Sequence, residues 1–253
     1  MPAKSWKSLG AGSTSCAYTA RMERSSVNSA RTVDEAHVAP VNGIEQAHAI
    51  ERLRREAFLQ APEFFVLTPR TYEWGENDQR GCVLAAWDNQ GAPLATLCGA
   101  VAATRADAED RFECLLPFPE SRFPALLLSR AATRVDHRSR GLNSLLRYYF
   151  LQMAGRQELK SILSIVFEGA PRIRMLERLG YDLIRVPSIN STYVSPRVPP
   201  LIGSLCGERI ATASALLETF LRDLFDQYPW RGPGIVSSPQ GSTRPKAAPS
   251  PPA

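Results

Sequence analysis

The stretch Pro124–Gly141, PALLLSRAATRVDHRSRG, constrains the fold more than any other. It opens with an apolar run, Pro124 to Thr133, long enough for a strand buried on both faces. A turn with arginines at 134, 138 and 140 and a single glycine follows. From Leu142 the apolar residues recur at helical spacing, Leu142, Leu145, Leu146, Tyr149, Phe150 and Met153. Buried strand, basic turn and core helix in direct succession place the turn at a helix N-terminus. The backbone N–H groups there lack partners and carry part of a positive charge. Two readings are open for the turn alone. It is either a solvated basic loop or a site for a phosphate-like anion, which such termini bind readily. Gly141 permits close backbone approach, Arg138 and Arg140 offer charge-assisted bonds, and Asn143 and Ser144 offer side-chain donors.

The flanking pattern supplies the frame. AHVAPV predicts a short strand ending near Val41. Residues 43–59 predict a helix with Ile44, Ala47, Ile50, Leu53, Ala57 and Phe58 on one face. Residues 81–88 and 92–103 read as two strands joined by the turn residues Asn89, Gln90 and Gly91. Residues 160–167 form another buried strand. PRIRMLERLG has Pro171 near its first turn and Gly180 past its end, the asymmetry of a short helix. YDLIRV is a further strand, and 207–225 an amphipathic helix with Ile210, Leu217, Phe220, Leu221 and Leu224 on its apolar side. The order gives a mixed α/β (α+β) fold, one twisted sheet flanked by helices. No GxGxxG follows the first strand, which excludes a dinucleotide-binding fold. The folded domain is expected at 34–230, with disordered tails at 1–33 and at the Pro/Ser/Ala-rich 231–253.

Composition excludes more than it selects. Of 253 residues 44% are hydrophobic, yet no apolar run nears the ~20 residues of a membrane span. The N-terminus has no compact apolar core of the kind a secretory leader needs. Cys16, Cys82, Cys98, Cys114 and Cys206 are scattered without metal-ligand spacing, so no metal site is expected and reduced, packing cysteines in the cytoplasm are. The net charge of +5 is modest and local. With no helix-turn-helix, RNA-recognition or zinc-finger signature, nucleic-acid binding is not indicated.

TRVDHRSRGLNSLL resembles the pantetheine-pyrophosphate loop, Arg/Gln-x-x-Gly-x-Gly/Ala, of the GNAT superfamily of acyltransferases, and PRIRMLERLGYDL resembles that superfamily's fourth helix and the turn beyond it. The likeness covers roughly 35–195. Within it, Arg54 and Phe58, Trp74 with Glu76 and Asp78, and Ser129-Arg130 resemble the autoinducer synthases and N-acyl amino acid synthases. The resemblance implies a fold whose fourth and fifth strands splay. It implies transfer of an acyl group, long-chain in this branch, from acyl carrier protein phosphopantetheine or acyl-CoA to an amine such as an amino acid. The thioester is a co-substrate, with no permanently bound cofactor. Ala131, Ala132 and Thr133 would supply backbone donors to the thioester oxygen. Arg138, Arg140, Gly141, Leu142, Asn143 and Ser144 would hold the donor's phosphates. Glu76, Asp78 and Glu168 are the candidates for general base. Arg130 pairs with an acidic-loop residue or contacts substrate, and a basic face of Arg134, Arg138, Arg140 and Arg147 would suit an acidic carrier protein. Some positions depart from the pattern. Leu127 and Cys98 stand where autoinducer synthases carry Glu and Arg, Leu176 where many acetyltransferases carry Tyr, and Asn143 where the loop is usually small. Homoserine-lactone formation is therefore not expected. Acetyl transfer from acetyl-CoA and a non-catalytic thioester- or partner-binding module are the alternatives.

Overall fold

The computed structural model describes residues 37–61, 64–186, 194–196 and 198–227, the side chains of 64–67, 194–196 and 223–227 aside. The tails expected at 1–33 and 231–253, and the side chain of Leu224, lie outside the described residues.

The central sheet has seven strands. β1 (His37–Pro40), β3 (Cys82–Trp87), β4 (Pro93–Ala102), β5 (Ala125–Thr133), β6 (Ser161–Phe167), β9 (Pro200–Cys206) and β7 (Asp182–Arg185) lie side by side in that order. β5 and β6 run parallel, and every other neighbouring pair in this sheet is antiparallel. A separate antiparallel pair joins β2 (Phe64–Leu67) to β8 (Val194–Pro196). The helices are α1 (Gly43–Leu59), the short α2 (Pro69–Tyr72) and α3 (Glu76–Gln79), α4 (Arg105–Phe112), α5 (Leu142–Arg156), α6 (Ile173–Arg178) and α7 (Gly207–Gln227).

The main core packs α5 and α7 onto one sheet face. Leu142, Leu145, Leu146, Phe150 and Leu151 of α5 meet Leu94, Leu97, Leu126 and Leu128 beneath and Ile210, Leu217 and Leu221 of α7 above. Each such side chain contributes roughly 1.5–3 kcal/mol by burial. α5 comes close because β4 has Gly99 there. A Cβ at that position would lie 2.2 Å from the Phe150 ring. On the opposite face Phe112, Leu116, Phe118 and Phe123 cover Leu127, Leu163 and Ile202. α1 seals the β3 end with Ile50 and Leu53 against Ala85 and Trp87.

The structure adds two elements and overturns two apolar-face assignments. β9 and α4 are elements the apolar pattern does not announce. β9 enters between β6 and β7, so the strand YDLIRV is the sheet edge. Ile44 and Phe220, counted on apolar faces, are 66% and 45% exposed, because no element covers the start of α1 or that side of α7 among the described residues. Among the same residues no helix is long and apolar enough to cross a membrane.

The strand that carries the site changes character midway. β5 pairs with β6 from Ala125 to Leu128 only, although both strands continue. Beyond that point they part. On its other edge β5 pairs Ser129 with Cys98 and Ala132 with Thr96, so Arg130 and Ala131 together oppose Leu97. This is a one-residue bulge, and Arg130 at φ +55° sits in it.

Candidate active site

The fork between β5 and β6 holds a cavity of about 750 Å³. The bulged half of β5 (129–133) forms one wall, and Ile165, Phe167 and the Glu168–Arg172 loop form the other. Ala57 and Phe58 of α1, Asn77 of α3, Arg111 and Phe112 of α4, and Arg138, Ser139 and Asn143 beside α5 complete it. The lining is mostly apolar, with arginines at 111, 130, 138 and 172 and one carboxylate, Glu168, among the described residues.

Backbone donors face this fork. The Arg134 N–H donates to Leu94 O at 2.8 Å, across the β4 edge. Strand alternation turns the Thr133 and Ala131 N–H groups to the opposite edge, where β6 has moved away. Donors unpaired by a neighbouring strand and bordering a cavity suit an oxygen that gains negative charge. At the other end, Gly141 caps α5 at φ +75° without a side-chain cap, so the first-turn N–H groups of Leu142, Asn143 and Ser144 lack intrahelical acceptors.

The candidate residues separate into distinct settings. Asp78 is 3% exposed and enclosed by cations. Arg54 grips it with two bonds, 3.0 Å to Oδ2 and 2.8 Å to Oδ1, and Arg130 also bonds Oδ2. The Gly75 N–H adds a bond at 3.1 Å. Burial pushes the Asp78 carboxyl up, but Arg54, then Arg130 and Gly75, outweigh it and hold it below its ordinary 3.8. Beneath it burial, followed by the Asp78 charge, lifts the Cys98 thiol to about 12. Glu76, two residues from Asp78, is 67% exposed and pairs with Arg80, away from the cavity lining. Glu168 borders the cavity, half exposed, with both carboxylate oxygens 2.9 Å from Arg185.

Arg130 forms the ion pair that sequence left open against substrate contact. It also donates to Glu73 O at 2.9 Å and Arg70 O at 3.0 Å while lining the cavity. Arg138 borders the cavity and donates to Ala57 O at 3.1 Å, whereas Arg140 is exposed and outside the lining. The Asn143 amide donates to Thr96 O at 3.3 Å, which ties the helix start to β4. Ser144 Oγ donates to Met175 Sδ at 3.3 Å, and the Leu142 side chain is core. Leu176, at the position where many acetyltransferases carry Tyr, is fully buried.

One reading changes here. Arg147 does not belong to a basic surface. It is 1% exposed, with its guanidinium over the Tyr181 ring and bonded to the Tyr181 hydroxyl at 3.5 Å, so the residue before β7 takes it out of solvent. His137, in the same turn, is buried, with Nδ1 2.9 Å from Asp136 and Arg134 against its ring. Phe58 lines the cavity, while Trp74 packs at α1 under Arg54. Sequence reasoning missed Arg111 and Phe112. Their one signal is Thr104 three residues before Asp107, a helix-start pattern that the structure realises with Thr104 Oγ1 accepting from the Asp107 N–H at 3.2 Å.

Solved structures share this architecture. FeeM, an N-acyl amino acid synthase from uncultured soil microbes, matches with a TM-score of 0.51 at 8% identity, over 74% of this chain and 98% of that one. An uncharacterised protein from Bacillus halodurans matches at 0.50 and 11%, over 74% and 91%. An N-acetyltransferase from Staphylococcus aureus Mu50 matches at 0.49 and 14%, over 68% and 99%. The fold is GNAT-like, with the splayed parallel pair that the sequence resemblance implied. No protein family's sequence model matches the chain, and no curated protein matches it.

Proposed function

We propose that this chain is an N-acyltransferase that moves an acyl group from a thioester to the amine of an amino acid. The observation that carries this reading is the cavity in the β5–β6 fork. It joins unpaired β5 N–H groups to the uncapped start of α5. The start of α5, with Arg138 beside it, suits the pyrophosphate of a CoA donor or the phosphate of a carrier-bound pantetheine. Ala131 and Thr133 then offer N–H groups to the thioester oxygen as it becomes an oxyanion. The amine nitrogen forms a bond to the carbonyl carbon and the C–S bond breaks, so the sulfur leaves as thiolate. The amine's proton passes to Glu168, the one carboxylate in the described lining.

The apolar walls, Ala57, Phe58, Phe112, Ile165, Phe167 and Val198, favour an acyl chain longer than acetyl. Arg138 and Arg172 line the cavity beside Arg111 and Arg130, which pair with Asp107 and with the Asp78 shared by Arg54. The one carboxylate in the described lining pairs with Arg185, and this cationic surround favours an acceptor that carries its own carboxylate. Arg140 remains an exposed basic residue for an acidic carrier protein.

The test incubates purified protein with acyl-CoA of graded length, or with acylated carrier protein, and a panel of amino acids, followed by mass spectrometry. New N-acyl amino acids with long-chain donors are expected. Transfer of acetyl alone would establish the acetyltransferase alternative, and thioester binding without turnover the non-catalytic module.

A further inference from the structure

We propose that Asp78 and Arg54 are positioning residues that act through Arg130 to hold the β5 bulge, and with it the direction of the donors lining the cavity. The proposal rests on the acyltransferase reading for its rate predictions, but not for its structural core.

The bulge controls more than local shape. One extra residue reverses the phase of everything after it on the strand. With the bulge, Arg134 donates to Leu94 O and the N–H groups of Ala131 and Thr133 face the fork. Without it, their phase inverts and those two N–H groups turn toward β4. A single backbone residue therefore decides whether the cavity has donors for a thioester oxygen.

That residue is in a conformation L side chains disfavour. Arg130 has φ +55°, where glycine is the usual occupant. Such a conformation persists when its surroundings over-determine it, and here they do. The Arg130 guanidinium is tied to Asp78, to Glu73 O at 2.9 Å and to Arg70 O at 3.0 Å, all in the segment before β3. This segment is fastened to α1 in turn. Arg54 holds Asp78 at 2.8 and 3.0 Å, and Glu51 accepts from the Trp74 N–H at 2.6 Å. The chain of contacts runs from α1 through Asp78 to the bulge. The buried Arg54–Asp78 pair is neutral by itself, so losing the Arg130 side chain strands no buried charge.

Glycine at position 130 separates positioning from direct contact. It adopts the positive φ unaided, whereas alanine needs the clamp it has lost. Arg130→Gly is expected to keep kcat about tenfold above Arg130→Ala, with KM for the donor little changed in either, since the left-handed penalty corresponds to roughly that factor. Asp78→Asn is expected to lower kcat in the native background but not in the Arg130→Gly background, where the bulge no longer depends on Asp78. Equal loss in the Gly and Ala variants would overturn the proposal, because the guanidinium would then act on the substrate itself. Native kcat in Arg130→Ala would overturn it too, as would an equal effect of Asp78→Asn in both backgrounds. If Asp78→Asn fails to fold, the Gly and Ala variants decide alone. If the native protein transfers no acyl group, the acyltransferase reading fails. Amide exchange across Ser129–Thr133 then decides the clamp: native-like in the Gly variant and altered in the Ala variant supports it, and identical patterns overturn it.

Discussion

Two charged clusters border one cavity and belong to different physical regimes. At one, Arg54, Asp78 and Arg130 meet with side chains 0%, 0% and 10% exposed. At the other, Glu168 and Arg185 pair with side chains 48% and 62% exposed. The bond lengths hardly differ, 2.8 Å against 2.9 Å. What differs is the alternative open to each charge. Glu168 exchanges Arg185 for water at little cost, so its pairing leaves it available to a substrate. Asp78 has no water to turn to, and its partners are fixed by the fold. The buried cluster is locked by its partners and the exposed pair is open to solvent, although sequence presents both simply as carboxylates near arginines.

Breaking the buried cluster should give the largest effect. Asp78→Ala leaves Arg54 and Arg130 facing each other without a counter-ion, and is expected to cost about 3–5 kcal/mol in denaturant unfolding. Its pH dependence has a definite sign. The folded pKa of Asp78 lies below 3.8, so its stabilisation is complete above the ordinary carboxylate range. It is lost as pH falls below 3.8 toward the depressed value. The native protein should therefore lose stability below about pH 4 more steeply than the Asp78→Asn variant, with thermal melts as the measurement. Equal acid slopes would place Asp78 in the exposed regime and erase the contrast.

The sequence was legible where a pattern repeated and silent where one residue decided. α1 runs from Gly43 to Leu59 as its periodicity predicts, because a six-residue apolar stripe admits one phase. The same stripe conceals Arg54, buried among apolar neighbours because Asp78 neutralises it. β9, PLIGSLC, escaped because Gly203 and Ser204 interrupt its alternation. Gly203 stands where a Cβ would lie 3.2 Å from Leu183 and 3.3 Å from Tyr181. α4 escaped because only Ala108 and Phe112 of its eight residues are buried, too few for an apolar stripe. The loop before α5 was legible as a helix start, but Arg147, one turn further, looked like part of the same basic face. Only its pairing with Tyr181, distant in sequence, takes it inside. The bulge has no signal at all, since nothing in SRAAT distinguishes a residue at positive φ from its neighbours.

The exposed side of the comparison predicts loss of rate without loss of stability. Glu168→Gln should lower kcat by about a hundredfold, the range of general-base catalysis, and shift unfolding by less than about 0.5 kcal/mol. A stability loss comparable to that of Asp78→Ala would mean that the Arg185 pair is scaffold after all. A smaller effect is expected at the start of α5. Arg138→Ala with Arg140→Ala should weaken donor binding several-fold, and the remaining affinity should depend less on salt. Calorimetric titration with CoA at two ionic strengths measures both, and unchanged affinity would remove the phosphate reading of the loop.

The smallest expected effect is the sharpest control. Glu76 lies two residues before Asp78 in the same short helix, and on sequence the two were equal candidates for the base. The structure points Glu76 into solvent against Arg80, four residues on. An exposed pair of this spacing contributes only a few tenths of a kcal/mol, less in salt. Glu76→Ala should therefore leave both the unfolding midpoint and kcat within error of the native protein, while Asp78→Ala changes stability by several kcal/mol. A large loss of kcat in Glu76→Ala at native stability would mean that the acidic loop closes over the cavity during turnover and brings this carboxylate to the amine. Glu168 would then be the spectator. Two neighbouring carboxylates on one turn of helix thus test whether burial alone, rather than position in the chain, sorts the scaffold from the chemistry.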